Sequence, residues 1–182
     1  ELSAQELSNA TWAFAAVGRT DEKLFAAVAK TVEGRLCELC VQDLVITPWA
    51  FATVAQSDQM LFAAVGRVAE ERLGEFKSQN LANLAWAYAT AGHVAPALFE
   101  RLGEAAAPRL REFTPQNLAN LVWSFATADH PAAPLFDAVA TEAAARLGEF
   151  TSQGLANVVW SYATAGHDAP VLFDAVAAAA AA

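Results

Sequence analysis

The chain is poor in cysteine and in basic residues and lacks a long uninterrupted apolar run, and each scarcity excludes a class of protein. Two cysteines in 182 residues cannot build a disulfide framework, so we expect a reducing or neutral compartment. Eleven Lys and Arg against 20 Asp and Glu give a net charge of −9, which argues against purely electrostatic binding of nucleic acid or anionic membranes. The alanine-rich end is too short to cross a bilayer, so we expect no membrane insertion.

The sequence patterns of catalysis are also missing. No Ser/His/Asp grouping and no glycine-rich phosphate loop occurs. Cys37 and Cys40 form one CxxC, and Cys40 stands at a predicted helix N-cap. Without a second CxxC or paired histidines, small structural substitutions are the simpler interpretation. His93, His130 and His167 recur about 10 Å apart, too far to share a metal, and fit turns or C-caps. We therefore predict no enzymatic activity, no cofactor and no metal.

What the chain does have is a period of 37 residues. The segment QNLANLAWAYATAGH at 79–93 returns at 116–130 and 153–167, and looser copies begin at Gln5 and Gln42. Such a period is typical of stacked-repeat proteins. We expect one array over 1–182, with repeats at 1–37, 38–74, 75–111, 112–148 and 149–182. No polar capping repeat is visible, so we expect a piece of a longer array; the run 177–182 fits either an alanine-rich helix or unassigned side chains.

Each repeat has the pattern of two helices. In the fourth, Thr114 suits an N-cap and Pro115 the first helical position, while Phe113 and Leu118 have the spacing of a hydrophobic staple. Apolar residues follow at helical spacing in both halves, and glycine ends the first helix in several copies. The predicted fold is all-α: a right-handed-type α-solenoid of stacked helical hairpins, in five repeats.

Two features concern the contacts between repeats. An arginine recurs near the end of each second helix, at Arg35, Arg72, Arg109 and Arg146, and a glutamate opens the next repeat, at Glu38, Glu75, Glu112 and Glu149. We expect these to form ion pairs.

Repeat two carries Pro48 inside its first helix. This predicts either a kink and a looser stack or tolerated drift in one repeat.

The polar strip on the first helices is the best candidate for function. A fixed Gln and Asn, with a polar position that varies after each Gln, is what a one-base-per-repeat RNA reader would use. A hydrogen-bonded ladder between neighbouring helices is the alternative for the Asn residues, and the tryptophans fit the core better than base stacking. The candidate residues are Gln79, Asn80, Asn83, Gln116, Asn117, Asn120, Ser124, Gln153, Asn157 and Ser161.

The repeats resemble the octotricopeptide-type repeats, and the related heptatricopeptide repeats, of organelle proteins. The likeness rests on the core (Q)xLAN(L/V)xW(A/S)(F/Y)AT, the following Leu-Phe and the RLxEF junction, as at 146–150, and covers essentially the whole chain. The resemblance implies an α-solenoid in a chloroplast or mitochondrion that binds organelle RNA or belongs to an organellar ribosome, with its reading positions on the first helix.

Two functions follow as hypotheses. The first is a protein that binds single-stranded organelle RNA, or acts within a ribonucleoprotein, in organelle gene expression. The second is an acidic scaffold docked on the protein subunits of a large organelle assembly. Family likeness favours RNA, whereas the charge favours protein, because the predicted first helices contain no Lys or Arg.

Overall fold

A computed structural model describes residues 2–130 and 132–180. Over these residues it contains α-helices and short 3₁₀ turns and no strand, so the all-α prediction is confirmed. The first helices of the repeats are α1 (Ala4–Ala16), α3 (Val41–Thr53), α5 (Ser78–Thr90), α7 (Pro115–Thr127) and α9 (Ser152–Ala165). The second helices are α2 (Glu22–Gly34), α4 (Gln59–Arg72), α6 (Pro96–Ala106), α8 (Ala133–Ala145) and α10 (Pro170–Ala180).

The ends of the predicted array fall partly outside these ranges. The first residue of repeat 1–37 and the last two of repeat 149–182 lie outside the described residues, as do 181 and 182 of the alanine run. Within the described part, α10 continues into that run as far as Ala180. None of the helices in 2–130 and 132–180 is long and apolar enough to cross a membrane.

Local sequence explains where the first helices begin. Ser3 and Glu6 form the predicted capping box, with each accepting a hydrogen bond from the other's backbone N–H. Thr114 caps α7, since its hydroxyl accepts the N–H of Asn117 at 3.2 Å. The staple residue Phe113 is buried together with Leu118. These local contacts set the direction in which the chain enters each first helix.

The helices form two layers. Consecutive first helices pack against one another along most of their length, whereas consecutive second helices touch less. Small buried residues such as Ala82, Ala85 and Ala119 allow this close approach in the first layer. We call the side of the stack on which this more closely packed layer lies the inner side.

Aromatic residues hold successive repeats together. At each of the four junctions a Phe of one second helix meets an aromatic ring of the next first helix edge-on, with ring centroids 4.9–5.1 Å apart: Phe25–Phe51, Phe62–Tyr88, Phe99–Phe125 and Phe136–Tyr162. Where the second ring is tyrosine, its hydroxyl donates to the backbone carbonyl of that Phe at 2.6 Å. Burial raises the pKa of Tyr88 and Tyr162 well above the ordinary range.

The predicted arginine–glutamate pairs are confirmed at every junction. Arg72 pairs with Glu75 at 2.8 Å, and its Nη1 also donates to the carbonyl oxygen of Leu39 at 2.7 Å. The same geometry recurs for Arg35, Arg109 and Arg146. Each arginine therefore ties the end of a second helix to the start of its own hairpin and to the opening of the next repeat.

Left-handed residues end the first helices. Gly92 and Gly166 have φ of +64° and +62°, as their sequence position predicts. Ala55 and Asp129 occupy the equivalent turns with φ of +55° and +50°, although they carry a Cβ. The histidines lie in the turns after these helices, as predicted. The backbone N–H of His93 donates to the carbonyl of Tyr88 at 3.0 Å, and His130 and His167 make the equivalent bond in their repeats.

Of the two outcomes predicted for Pro48, the structure shows tolerated drift in one repeat and no break of the helix. Helix α3 runs without interruption from Val41 to Thr53, and Pro48 is buried inside it. The neighbours explain the tolerance, because α3 packs along α1 and α5 as closely as the other first helices pack together. The buried hydroxyls of Ser8 and Thr47 also meet across α1 and α3 at 3.1 Å. Tertiary contacts thus outweigh the missing backbone hydrogen bond.

Candidate partner-binding surface

One row of side chains faces solvent on every first helix. It follows the spacing i, i+4, i+7, i+11, which keeps residues on one side of a helix. We name it the inner stripe; its members are Gln5/Asn9/Trp12/Ala16, Gln42/Ile46/Trp49/Thr53, Gln79/Asn83/Trp86/Thr90, Gln116/Asn120/Trp123/Thr127 and Gln153/Asn157/Trp160/Thr164. All of these residues are exposed or half-buried. Because consecutive first helices pack side by side, the five rows lie next to one another on this side of the stack.

The amide groups of the inner stripe have no partners in the part of the chain that the structure describes. No hydrogen bond reaches the side-chain amides of Asn83, Asn120 or Asn157, nor those of the stripe glutamines. The hydrogen-bonded ladder considered from the sequence is therefore not formed among these residues. Each half-buried Asn instead presents one acceptor and two donor hydrogens to whatever enters the stripe.

The variable position after each Gln takes part in helix initiation in three of the repeats. Asn80 accepts the backbone N–H of Lys77 through Oδ1 at 3.0 Å, and Glu6 and Asp43 make the same bond in their repeats. Asn117 is buried, with 8% of its surface exposed. This position is the third of the helix, where a side chain reaches back to the N-cap. Asn80 therefore takes part in helix initiation through Oδ1, whereas at Asn117 it is the backbone N–H that bonds to the N-cap residue Thr114. That these two residues contact a partner stays a prediction.

Ser124 and Ser161 lie inside the stack. Both are fully buried, and each hydroxyl donates at 2.6 Å to a carbonyl four residues earlier, of Asn120 and Asn157 respectively. Such back-bonding satisfies a hydroxyl inside a helix. Neither serine therefore lies on the exposed face of its helix, where the sequence pattern placed it.

Shallow grooves run between neighbouring first helices and bring the remaining predicted residues together. The α3–α5 groove, of about 510 Å³, is lined by Gln42, Gln79 and Asn83 along with Glu75 and Lys77. The α7–α9 groove, of about 540 Å³, is lined by Gln116, Asn120, Gln153, Asn157 and Glu149. Asn80 also lines the α3–α5 groove. Seven of the predicted residues thus lie where an extended chain could rest across the repeats.

The tryptophans belong to this surface more than the sequence suggested. Trp12 and Trp160 expose 47% and 48% of their surface, and the three between them are half-buried. Trp49 and Trp86 pack against each other with ring centroids 6.2 Å apart and planes tilted by 35°. The signal that identifies them was present in the sequence, because Trp follows the stripe Gln by seven residues and so shares its side of the helix.

The stripe carries no charge of its own, and charges flank it. No Lys or Arg occurs in any of the five first helices. Side-chain hydrogen bonds from Arg72 and Arg146 lower the pKa of Glu75 and Glu149, which therefore stay ionised beside the grooves. The arginines of these pairs already bind a carboxylate and a carbonyl. An incoming phosphate would thus find few free cations.

The histidines and cysteines lie elsewhere. His93, His130 and His167 pack against the aromatic pairs of the junctions, at centroid distances of 5.4–5.9 Å. Burial lowers the pKa of His93. Cys37 and Cys40 are free and exposed. Among residues 2–130 and 132–180, no group of three or more His, Cys, Asp or Glu side chains converges as a metal site would require.

Comparison with known families places the chain. A family described as RESC6, RNA-editing substrate-binding complex 6 protein, matches residues 2–182. The chain belongs to this family. The match spans all five repeats. The family is therefore RESC6 and not the octotricopeptide family that the motifs resemble. The expectation of an RNA-related helical protein is confirmed. No curated protein matches the chain.

Proposed function

We propose that the protein is a non-enzymatic α-solenoid component of a ribonucleoprotein that handles RNA-editing substrates in organelle gene expression. Of the two organelles considered from the sequence, we propose the mitochondrion. The observation that carries the proposal is the match of the RESC6 family to residues 2–182. The inner stripe supports it, since a repeated, uncharged, half-exposed surface suits an elongated partner better than a small substrate.

Single-stranded RNA is the first candidate partner of the inner stripe. Amide side chains such as those of Asn83 and Asn120 can bond to base edges, and exposed Trp faces such as Trp160 can stack on bases. Helical-repeat RNA readers use this arrangement, with one base for each repeat.

A protein subunit is the second candidate, and one specific observation favours it. The five first helices carry no cation, and the nearby arginines are held in ion pairs. Phosphate contacts normally supply much of the affinity for nucleic acid. A polypeptide needs no such contacts, so it matches the stripe without help from other subunits.

The test is purification of the tagged full-length protein from organelles after crosslinking, with and without nuclease. We expect edited transcripts in the untreated sample and RNA-processing proteins in both. The triple substitution Asn83→Ala, Asn120→Ala and Asn157→Ala should deplete at least one of these two sets. Gln59→Ala with Thr141→Ala, exposed residues of second helices, serves as the control. Recovery of neither RNA nor RNA-processing proteins would contradict the proposal.

A further inference from the structure

The free amides of the inner stripe have the hydrogen-bonding groups that an extended polypeptide requires. A carboxamide offers an acceptor and two donor hydrogens, which complement the N–H and C=O of one peptide unit. Asn83, Asn120 and Asn157 occupy the same place on successive helices, and none has a partner among the described residues. A polyproline II segment has all of its backbone groups free, because it contains no internal hydrogen bonds.

The spacing of the repeats also matches such a segment. Packed helices lie about 8–10 Å apart. A polyproline II chain has three residues per turn and rises about 3.1 Å per residue, which gives about 9.3 Å per turn. Every third residue of the partner would therefore meet the same set of stripe residues on the next repeat. A β-strand, whose side chains alternate with a period of two, would fall out of register.

Charge selects the side chains of the partner. The protein has a net charge of −9, and the ionised Glu75 and Glu149 line the two grooves. The exposed faces of Trp12 and Trp160 can accept a cation through the ring quadrupole. Lys77 is the one basic residue lining either groove, so the surroundings favour Lys or Arg over phosphate or carboxylate.

The tryptophan row fits this partner better than stacked bases. A base inserted between two parallel rings needs about 7 Å, twice the ~3.4 Å rise of a nucleic-acid strand. The rings of Trp49 and Trp86 are 6.2 Å apart and tilted by 35°, so they leave no slot for a base. Their outward faces remain available to the aliphatic stem and charged group of Lys or Arg.

We infer that the inner stripe binds an extended polypeptide segment of polyproline II type with Lys or Arg at every third residue. The inference rests on the proposed function and names the partner class of the same surface. The stripe amides hold the backbone of the segment, and the tryptophan faces hold its cations. The flanking Glu75 and Glu149 add attraction, because their carboxylates remain more exposed than the arginines with which they pair. Repeat two carries Ile46 in place of Asn, so one backbone contact is missing there.

The experiment uses the purified full chain and a fluorescein-labelled peptide of five Lys-Ala-Pro triplets, which spans about 46 Å when extended. The comparison peptide has the same composition with all lysines at one end, so nonspecific attraction is equal. In 150 mM salt we expect the triplet peptide to bind about tenfold more tightly and to change tryptophan fluorescence. Asn83→Ala with Asn120→Ala and Asn157→Ala should weaken this binding about tenfold, whereas Gln59→Ala with Thr141→Ala should not.

Other binding results would contradict the inference. Equal binding of the two peptides, or binding that survives the triple Asn substitution, would overturn the inference. Tight binding of a 15-nucleotide single-stranded RNA that is lost in the same variant, without a preference between the peptides, would assign the stripe to RNA. None of these results tests the proposed function. That is decided by whether RNA and RNA-processing proteins are recovered with the protein from organelles.

Discussion

The junctions between repeats and the inner stripe recur with the same period, yet they treat their polar groups in opposite ways. At the junctions, the Tyr88 hydroxyl and the Arg72 guanidinium each end on a defined acceptor. On the stripe, Asn83 and its equivalents are half-exposed and bond to nothing within the described residues. Stability explains why the junction residues recur. It does not explain the stripe, so the recurrence there points to a partner.

The largest expected difference is in the free energy of unfolding, between one substitution at a junction and one on the inner stripe. Phe99→Ala deletes a buried ring that packs on Phe125 and His130, and we expect it to lower the free energy of unfolding by about 3–5 kcal/mol. Asn120→Ala removes an amide without a partner among the described residues, and should change the free energy of unfolding by about 0.5 kcal/mol or less. Denaturant unfolding followed by circular dichroism measures both.

A finding that Asn120→Ala costs more than about 2 kcal/mol would break the comparison, because that loss is typical of a satisfied buried group. Glu100→Gln is the control for Phe99→Ala, because it changes an exposed side chain next to Phe99 in the same helix, α6. It should leave the unfolding curve unchanged.

A smaller effect is expected from a single junction hydroxyl. Tyr88→Phe removes the donor to the Phe62 carbonyl and should cost about 1–2 kcal/mol, the usual range for a buried hydrogen bond. The ring itself should be accommodated, since Phe125 occupies the same place in repeat four and makes the same edge-on contact. If thermal unfolding showed no difference, the hydroxyl would not be contributing to the junction.

The smallest effect, and the most specific, depends on pH. Hydrogen bonds from arginine lower the pKa of Glu75 and Glu112 in the folded chain. The unfolded chain therefore takes up protons first as the pH falls, so this stabilisation is complete above about pH 4.5 and is lost below it. Glu75→Gln with Glu112→Gln should flatten the decline of the melting temperature between pH 5 and pH 3.

His93 provides the internal control for that titration. Its pKa is lowered by burial, so it contributes a loss of stability that begins as the pH falls through about 6.5, the ordinary histidine value. The double Gln variant should keep this earlier part of the curve. A change confined to the range above pH 5.5 would contradict the assignment of the acid transition to the glutamates.

Sequence periodicity predicted the parts of this molecule that depend on local spacing. The helical hairpins, the staple at Phe113 and the pairing of Arg146 with Glu149 all follow from positions within one repeat or its immediate neighbour. The inner stripe was accessible in the same way, because its spacing of four, three and four residues defines one side of a helix.

What the pattern did not predict depends on how each helix is rotated against its neighbours. Ser124 and Asn120 are four residues apart and both polar, yet one is fully buried and the other half-exposed. Asn80 was predicted as a variable reading position because its repeat equivalents differ. The structure adds a role that the pattern did not predict, since Asn80 and Asp43 each accept a backbone N–H at the start of their helix. Pro48 shows the same limit, since packing by α1 and α5 decides its outcome.

The four junctions are not equally strong, and this sets an order of melting. The first, Phe25–Phe51, has no tyrosine hydroxyl, and Gln56 stands where the later repeats have histidine. In a linear array each unit is stabilised only by its neighbours, so opening begins at the weakest boundary. Repeat one should therefore exchange its amide hydrogens sooner than repeats two to four, which would allow it to rearrange while those repeats stay bound to their partner.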